Sequence, residues 1–333
     1  MNILSQKNIR GLMLFVIDNL IWIINLVVII VFTLTMEYNF LAFKNLVAIL
    51  YAVSSLGFLV YAQGIALISG NFDMSITAIA AFSATIAGML ALHWLPGISP
   101  LLLILIMLIM GGTIGAVNGF FIARVGVNPF LQTLSISLIL YGSTVGLTGR
   151  TLFNLPKGLL IPGSFMVGKV PLAVIILIAG AIALYVFLEK ITLGREIYAV
   201  GSNREAAKSC GINTEKATIS AMAMSGILSA IGGLLNLGYM RSVPMHMSEG
   251  NLMFTFAGAI IGGVSIKGGS GKISGVVGGI LLLGILEIGL TALRVNVSWR
   301  EAINGAILVI AILMNTFQMR FKIAILNWQV KKK

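Results

Sequence analysis

Long apolar stretches with few charges recur along almost the whole chain, and each is about as long as a helix needs to be, roughly 20 residues, to cross about 30 Å of hydrocarbon. The candidate crossings are residues 12 to 35, 47 to 70, 76 to 92, 100 to 122, 129 to 149, 171 to 190, 217 to 240, 251 to 265, 273 to 293 and 300 to 319, of which the third and eighth are short. About ten crossings predict an all-α polytopic membrane protein, with residues 1–333 forming a single transmembrane domain and no soluble domain. An even count places both ends on one side. Ten helices can also divide as five plus five, and halves with an odd number of spans are expected to be inverted repeats.

Composition agrees with that reading. At 58% hydrophobic and 10% charged residues, the chain is far from a soluble globule, in which about 25% of residues are charged. The net charge of +12 is not gathered into the basic patch that nucleic acid would require; it is spread between the apolar stretches. Fifteen of the 22 lysines and arginines lie in the two termini, near Arg124, and in segments 190–216 and 267–272. The positive-inside rule makes that side cytoplasmic, together with both termini. Lys7 and Arg10 precede an apolar segment too long for a signal-peptide core, which is therefore expected to be a retained first span. The single cysteine, Cys210, excludes an intrachain disulfide.

The only long polar run between the first span and the C-terminal tail is ITLGREIYAVGSNREAAKSCGINTEK, residues 191–216. Within it, Ser202 to Lys208 reads as a short helix: Asn203 can cap it, Glu205, Ala206 and Ala207 suit a first turn, and Gly211 stands where a left-handed residue ends it. A capped, charged helix between two apolar segments suits contact with a soluble partner; the plainer alternative is a polar connector. On the opposite side, residues 150–170 form the longest loop, either a small docking surface or another connector.

Residues Ser69-Gly70-Asn71-Phe72-Asp73-Met74-Ser75 interrupt the apolar pattern between the second and third spans. An ionised Asp inside a lipid-facing helix costs about 2.5 to 3.5 kcal/mol, so Asp73 must face protein or water. Asp73 and Ser75 can cap the helix that follows, and the break can also line a translocation path; the two readings are compatible. Glu287 inside the ninth span is either a helix-to-helix hydrogen-bond partner or a proton carrier. Asn118, Gln132, Thr133 and Asn236 can bond a polar solute or a neighbouring helix. Glycines four apart, at 111, 115 and 119, at 258 and 262, and at 275 and 279, make bare stripes that let another helix backbone come close.

The run Gly262-Gly263-Val264-Ser265-Ile266-Lys267-Gly268-Gly269-Ser270-Gly271-Lys272 has the look of a phosphate loop. It lacks the required glycine spacing, and Ile273 follows the lysine where Ser or Thr is needed, so ATP binding is not expected. A tight cytoplasmic turn with Lys267 and Lys272 at headgroup level is expected instead. His93 and His246 have no spaced Cys or carboxylate partners, and no Ser-His-Asp, Cys-His or paired-carboxylate arrangement is present. No metal, cofactor or catalytic residue is therefore expected.

Gly194, Arg195, Ala199, Gly201, Asn203, Ala206, Ala207, Gly211 and Ile212 reproduce the pattern Gly-Arg-x-x-x-Ala-x-Gly-x-Asn-x-x-Ala-Ala-x-x-x-Gly-Ile. This closely resembles the cytoplasmic loop of the ribose-type sugar permeases of ABC importers. Asp73 and Ser75 match that family's Gly-Gly-Ile-Asp-Leu-Ser-Val-Gly signature, although Asn71, Phe72 and Thr77 depart from it. Gly262, Gly263, Ser265, Gly268, Gly269 and Gly271 match its Gly-Gly-x-Ser-x-x-Gly-Gly-x-Gly stretch. Asn128-Pro129-Phe130, Thr133-Leu134, Ser225-Gly226 and Gly232-Gly233 follow in family order, so the resemblance covers most of the chain.

The resemblance implies a multi-pass permease subunit of the bacterial inner membrane, paired with a second copy or a sister permease. It further implies a separate ABC ATPase docked on the 192–212 loop, and an extracytoplasmic solute-binding protein that delivers a simple sugar. Asn71, Asp73, Ser75 and Thr133 then stand at the translocation path or gate. Within the same fold, a nucleoside or furanosyl-signal permease remains an alternative, as does the more distant branched-chain amino acid permease. Outside it, an ion-coupled secondary carrier using Asp73 or Glu287 and a membrane scaffold remain.

Overall fold

The computed structural model describes residues 19–35, 40–247 and 250–296, together with residue 16 and single positions from 299 to 317. The termini, and with them the expected cytoplasmic ends and the tenth span at 300–319, lie outside the described residues apart from those single positions.

Twelve helices are described. They are α1 (Leu20–Thr35), α2 (Phe43–Ile68), α3 (Ile76–Met89), α4 (Pro100–Phe120), α5 (Pro129–Thr148), α6 (Lys157–Ser164), α7 (Leu172–Lys190), α8 (Thr192–Ser202), α9 (Arg204–Ser209), α10 (Thr214–Met240), α11 (Asn251–Ile261) and α12 (Ile273–Ala292). A two-stranded hairpin, β1 (Met166–Val167) with β2 (Val170–Pro171), joins α6 to α7. Wider π-type turns extend α3 to Trp94 and α4 to Val125. Among the described residues seven helices are long and apolar enough to cross a membrane: α2, α3 and α4 with their extensions where present, α5, α7, α10 and α12.

The expected eighth span, 251–265, contains a short apolar helix. α11 has 11 residues, about 16 Å at 1.5 Å per residue, which falls well short of about 30 Å of hydrocarbon. Gly262 ends it, and Gly263 follows with φ +84°. The glycine pair turns the backbone out of the helix at that point, so α11 is shorter than the other apolar helices of the bundle.

α2 and α10 form the centre. Tyr61, Phe58, Leu59, Ile65, Leu67 and Ile68 on α2 are fully buried. α10 packs on α4, α2, α3 and α6. The glycine stripes explain how closely. A Cβ on Gly111 would overlap the Gly226 carbonyl, one on Gly115 the Met222 carbonyl, and one on Gly119 would lie 2.7 Å from the Ile219 Cα. The other two stripes face each other: a Cβ on Gly279 would overlap the Gly258 carbonyl, and one on Gly275 that of Gly262. Between apolar helices in an apolar solvent, such close backbone contact is the main source of association energy.

Away from this centre, Leu101, Leu105 and Ile109 on α4, Leu138 and Ile139 on α5, and Ile178 and Ile182 on α7 are exposed. Apolar faces of that extent are rare on soluble monomers and suit lipid. Residues 150–170 pack onto the bundle: Leu152 pairs with Val243 through two backbone hydrogen bonds of 3.0 Å, and α6 lies on α10 with the Gly163 and Gly238 backbones in contact.

Overpacking the α4–α10 seam is expected to cost about 1–3 kcal/mol or more. Gly115→Leu should therefore lower the thermal unfolding midpoint in detergent by several degrees or abolish folded yield. Gly142→Leu on α5, where an added Cβ meets nothing within 4 Å, should leave it near wild type.

Candidate functional site

Three sequence motifs far apart in the chain meet at one end of the bundle. The first is the polar run. Expected as a single short helix with a loop before it, it forms two helices that break at Asn203. α8 was missed because its apolar residues are few, yet Gly194, Ile197 and Val200 recur every third residue and are buried as one face. Asn203 Oδ1 accepts from the Ala206 N–H at 2.9 Å, so the expected cap is present, and Gly211 adopts φ +81°. Ala207 is buried, whereas Arg195, Ala206 and Gly211 are exposed and Ala199 is half-buried. The Arg204 guanidinium donates to the Ala123 carbonyl at 2.7 Å, fastening α9 to the turn after α4.

The second motif is the glycine run 262–271, and the third is the end of α2. The Gly269 N–H donates to the Ile68 carbonyl at 2.9 Å. Gly201, at the end of α8, sits against both: a Cβ there would overlap the Ile68 carbonyl and lie 2.8 Å from the Gly269 nitrogen. Gly70 faces Gly201 and Gly268 in the same cluster. Ser265 shapes the run, its hydroxyl accepting from the Lys267 N–H at 3.1 Å, while Lys267 and Lys272 are exposed. The Tyr198 hydroxyl donates to the Gly271 carbonyl at 2.8 Å. Burial, with the Glu189 carboxylate second, pushes this phenol up to about 12, so it remains a donor at any physiological pH.

Beside this junction, Asp73 is completely buried. One carboxylate oxygen accepts from the Ser75 N–H at 2.9 Å and the Ser75 hydroxyl at 2.6 Å; the other accepts from the Ser225 hydroxyl on α10 at 2.8 Å. The expected side-chain cap of α3 is not formed: Asp73 accepts from the N–H of Ser75, the residue just before the helix, and the Ser75 hydroxyl turns to Asp73 instead of a first-turn amide. Asn118 on α4 donates to the Ser75 hydroxyl at 3.0 Å. Thr133 on α5 accepts from the Met74 N–H at 3.0 Å. Asn71 does not join this group; its amide folds back on Ser69 at 2.8 Å. The result is a buried knot of neutral donors around one carboxylate, which ties segment 70–75 to α4, α5 and α10.

At the other end of the bundle a cavity of about 330 Å³ opens between α2, α10, α11 and α12. Tyr51, Ser54 and Ser55 of α2, Asn236 and Tyr239 of α10, His246 of the segment after α10, Asn251 and Glu287 supply its polar lining. Of these, sequence reasoning singled out Asn236 and Glu287 as polar groups within spans and weighed His246 only against a metal site. The available signal for the others was helical spacing: Tyr51 and Ser55 lie four apart, and Asn236 and Tyr239 three apart, each pair on one face of an otherwise apolar helix.

Removing the Asp73 carboxylate leaves two hydroxyls and a backbone amide without their acceptor, at about 1–3 kcal/mol for each buried group orphaned. Asp73→Leu should lower the thermal midpoint far more than Asp73→Asn, which keeps one acceptor oxygen; differential scanning fluorimetry in detergent checks the order.

Residues 45–312 match the family model described as branched-chain amino acid transport system / permease component. The galactose/methyl galactoside import permease protein MglC of Escherichia coli is 32% identical over 228 residues, 65% of this chain and 67% of that one. The ribose import permease protein RbsC of Bacillus subtilis is 28% identical over 299 residues, 88% of this chain and 91% of that one. The fructose import permease protein FrcC of Rhizobium meliloti is 27% identical over 283 residues, covering 82% and 78%. No solved structure matches the chain. With a match spanning all seven membrane-length helices, from α2 through α12, the chain belongs to this family of transport-system permease components.

Proposed function

We propose that the chain is the membrane subunit of an ABC importer that carries a simple sugar across the bacterial inner membrane. In this reading it crosses the membrane about ten times with both termini in the cytoplasm, following the asymmetry of Lys and Arg. A separate ATPase supplies the energy, a second permease chain completes the path, and an extracytoplasmic solute-binding protein delivers the solute.

The observation that carries the proposal is the backbone junction of Gly201, Ile68 and Gly269. It welds α8 and α9 to the end of a central helix while leaving Arg195, Asn203, Ala206 and Gly211 exposed. An ATPase seated on that exposed face would move α2 and the 262–271 turn together, because no side chain intervenes to absorb the motion. The relatives named for galactose, ribose and fructose import support a sugar as the solute. The family description favours a second solute class, branched-chain amino acids. On the opposite face, α6 and the hairpin, with Phe165, Met166 and Val167 exposed, offer the seat for the solute-binding protein.

Affinity purification of the tagged chain from its host should bring down an ATPase and a binding protein, whose bound solute identifies the class. Ala206→Arg, on the exposed side of α9, should lose the ATPase while the chain stays folded. Gly201→Val should keep the ATPase but lose uptake by about 5- to 150-fold, the range that 1–3 kcal/mol of coupling energy spans. Normal uptake in both variants would remove the loop from the mechanism.

A further inference from the structure

Gln63 on α2 is completely buried, and its side-chain amide is short of partners. Among the described residues, no acceptor on the protein lies within hydrogen-bond reach of Nε2. The amide oxygen fares little better. It faces the Thr255 hydroxyl of α11 at 3.4 Å, but the single proton of that hydroxyl is already directed at the Leu252 carbonyl, 2.6 Å away. An amide withdrawn from water without partners keeps its desolvation penalty, so the closed arrangement is disfavoured at this point.

The point lies where α11 meets α2. On its other side α11 is fastened to α12 backbone to backbone, Gly258 against Gly279 and Gly262 against Gly275. Toward α2 it meets side chains: a Cβ on Gly258 would lie 3.0 Å from Val60, and Thr255 faces Gln63. At one end this seam is pinned by the bond from the Gly269 N–H to the Ile68 carbonyl. At the other end the cavity of about 330 Å³ keeps the two helices apart, with Ser54 and Ser55 of α2 and Asn251 of α11 in its wall. Asn251 and Thr255 lie four apart on one face of α11, so the Gln63–Thr255 contact closes the seam one helical turn from the cavity. Phe256, next to Thr255, rests on Phe72 with ring centroids 5.8 Å apart, so the segment that carries Asp73 touches the same helix.

We propose that α11 parts from α2 at Gln63 during transport, hinged at the Gly269–Ile68 bond, and that Gln63 is the positioning residue that favours the parted, hydrated state. The inference rests on the import-permease reading and adds a moving element to it. Closed, the seam buries an unmet amide; parted, it lets water from the cavity reach both N–H groups. The amide therefore brings the two states closer in free energy, as a transport cycle requires and a purely structural core does not. An apolar side chain of similar length removes that bias and holds the seam shut.

The test is Gln63→Met, an unbranched apolar replacement that adapts to its surroundings. In the full-length chain carrying Cys210→Ser and reconstituted in lipid nanodiscs, Thr255→Cys places a thiol in the seam and Val167→Cys places a control thiol on the exposed hairpin. The rate of labelling by a small, membrane-impermeant methanethiosulfonate reagent then reports opening. Gln63→Met should slow labelling at position 255 about 5- to 30-fold and leave position 167 unchanged. In the chain without added cysteines it should raise the thermal midpoint in detergent by a few degrees, and Gln63→Leu gives a second reading should Gln63→Met fold poorly. Uptake of ribose, galactose or fructose by liposomes holding the chain with its co-purified ATPase should fall by a similar factor, with ATPase capture unchanged. A merely structural role would raise the midpoint and leave uptake alone. The proposal is overturned if position 255 stays unlabelled in folded protein, if neither apolar variant changes labelling or midpoint, as a permanently bound water at Gln63 would have it, or if their uptake matches wild type. Absence of uptake by the wild-type complex would instead sink the sugar-importer reading, while slowed labelling in Gln63→Met would still keep the moving seam.

Discussion

One backbone hydrogen bond, from the Gly269 N–H to the Ile68 carbonyl, fixes the arrangement of the whole polar end. It can form only because the third backbone present, at Gly201, has no side chain to hold the two apart. Three chain segments that are more than 60 residues apart in the sequence (68, 201 and 269) become neighbours at main-chain distance. The placement of α8, the path of the 262–271 run and the break after α2 all follow from that contact. A side-chain contact at the same place would be softer, since rotamers adjust where backbones cannot.

The Asp73 knot addresses a different constraint. A carboxylate withdrawn from water needs compensating hydrogen bonds, and here they come from the Ser75 amide and the hydroxyls of Ser75 and Ser225. Because Ser225 lies within α10 and Asn118 within α4, satisfying this buried carboxyl and the Ser75 hydroxyl it holds also sets the position of two long helices. Polar groups in an apolar bundle thereby act as registration marks, where glycine stripes alone would allow helices to slide by a turn.

What was legible in the sequence was local or periodic. The Asn203 cap, the left-handed Gly211 and the helical starts at Pro100 and Pro129 follow from neighbouring residues. The four-residue glycine spacing gave the close seams, although not that the stripes at 258 and 275 face each other. α8 escaped because its buried face holds only a glycine and two aliphatics. The early end of α11 was not legible, because hydropathy counts apolar residues and is blind to where a glycine pair turns the chain. The cavity was the least legible. Its lining is drawn from α2, α10, α12 and the chain between α10 and α12, and no single segment carries a pattern that announces it. Asp73 was visible as an anomaly, but its partner Ser225, 152 residues away, could be assigned only by the fold.

α10 runs unbroken for 27 residues, about 40 Å at helical rise. Near one end it meets the Gly163 backbone of segment 150–170; near the other, a short turn joins its start to α9. A rod held tightly at its waist by α4 and α2 has a fulcrum there, so a small tilt swings its two tips in opposite directions. In the importer proposed above, opening at one surface and closing at the other would then be a single seesaw movement of one rigid lever, with no relay of rearranging side chains between them.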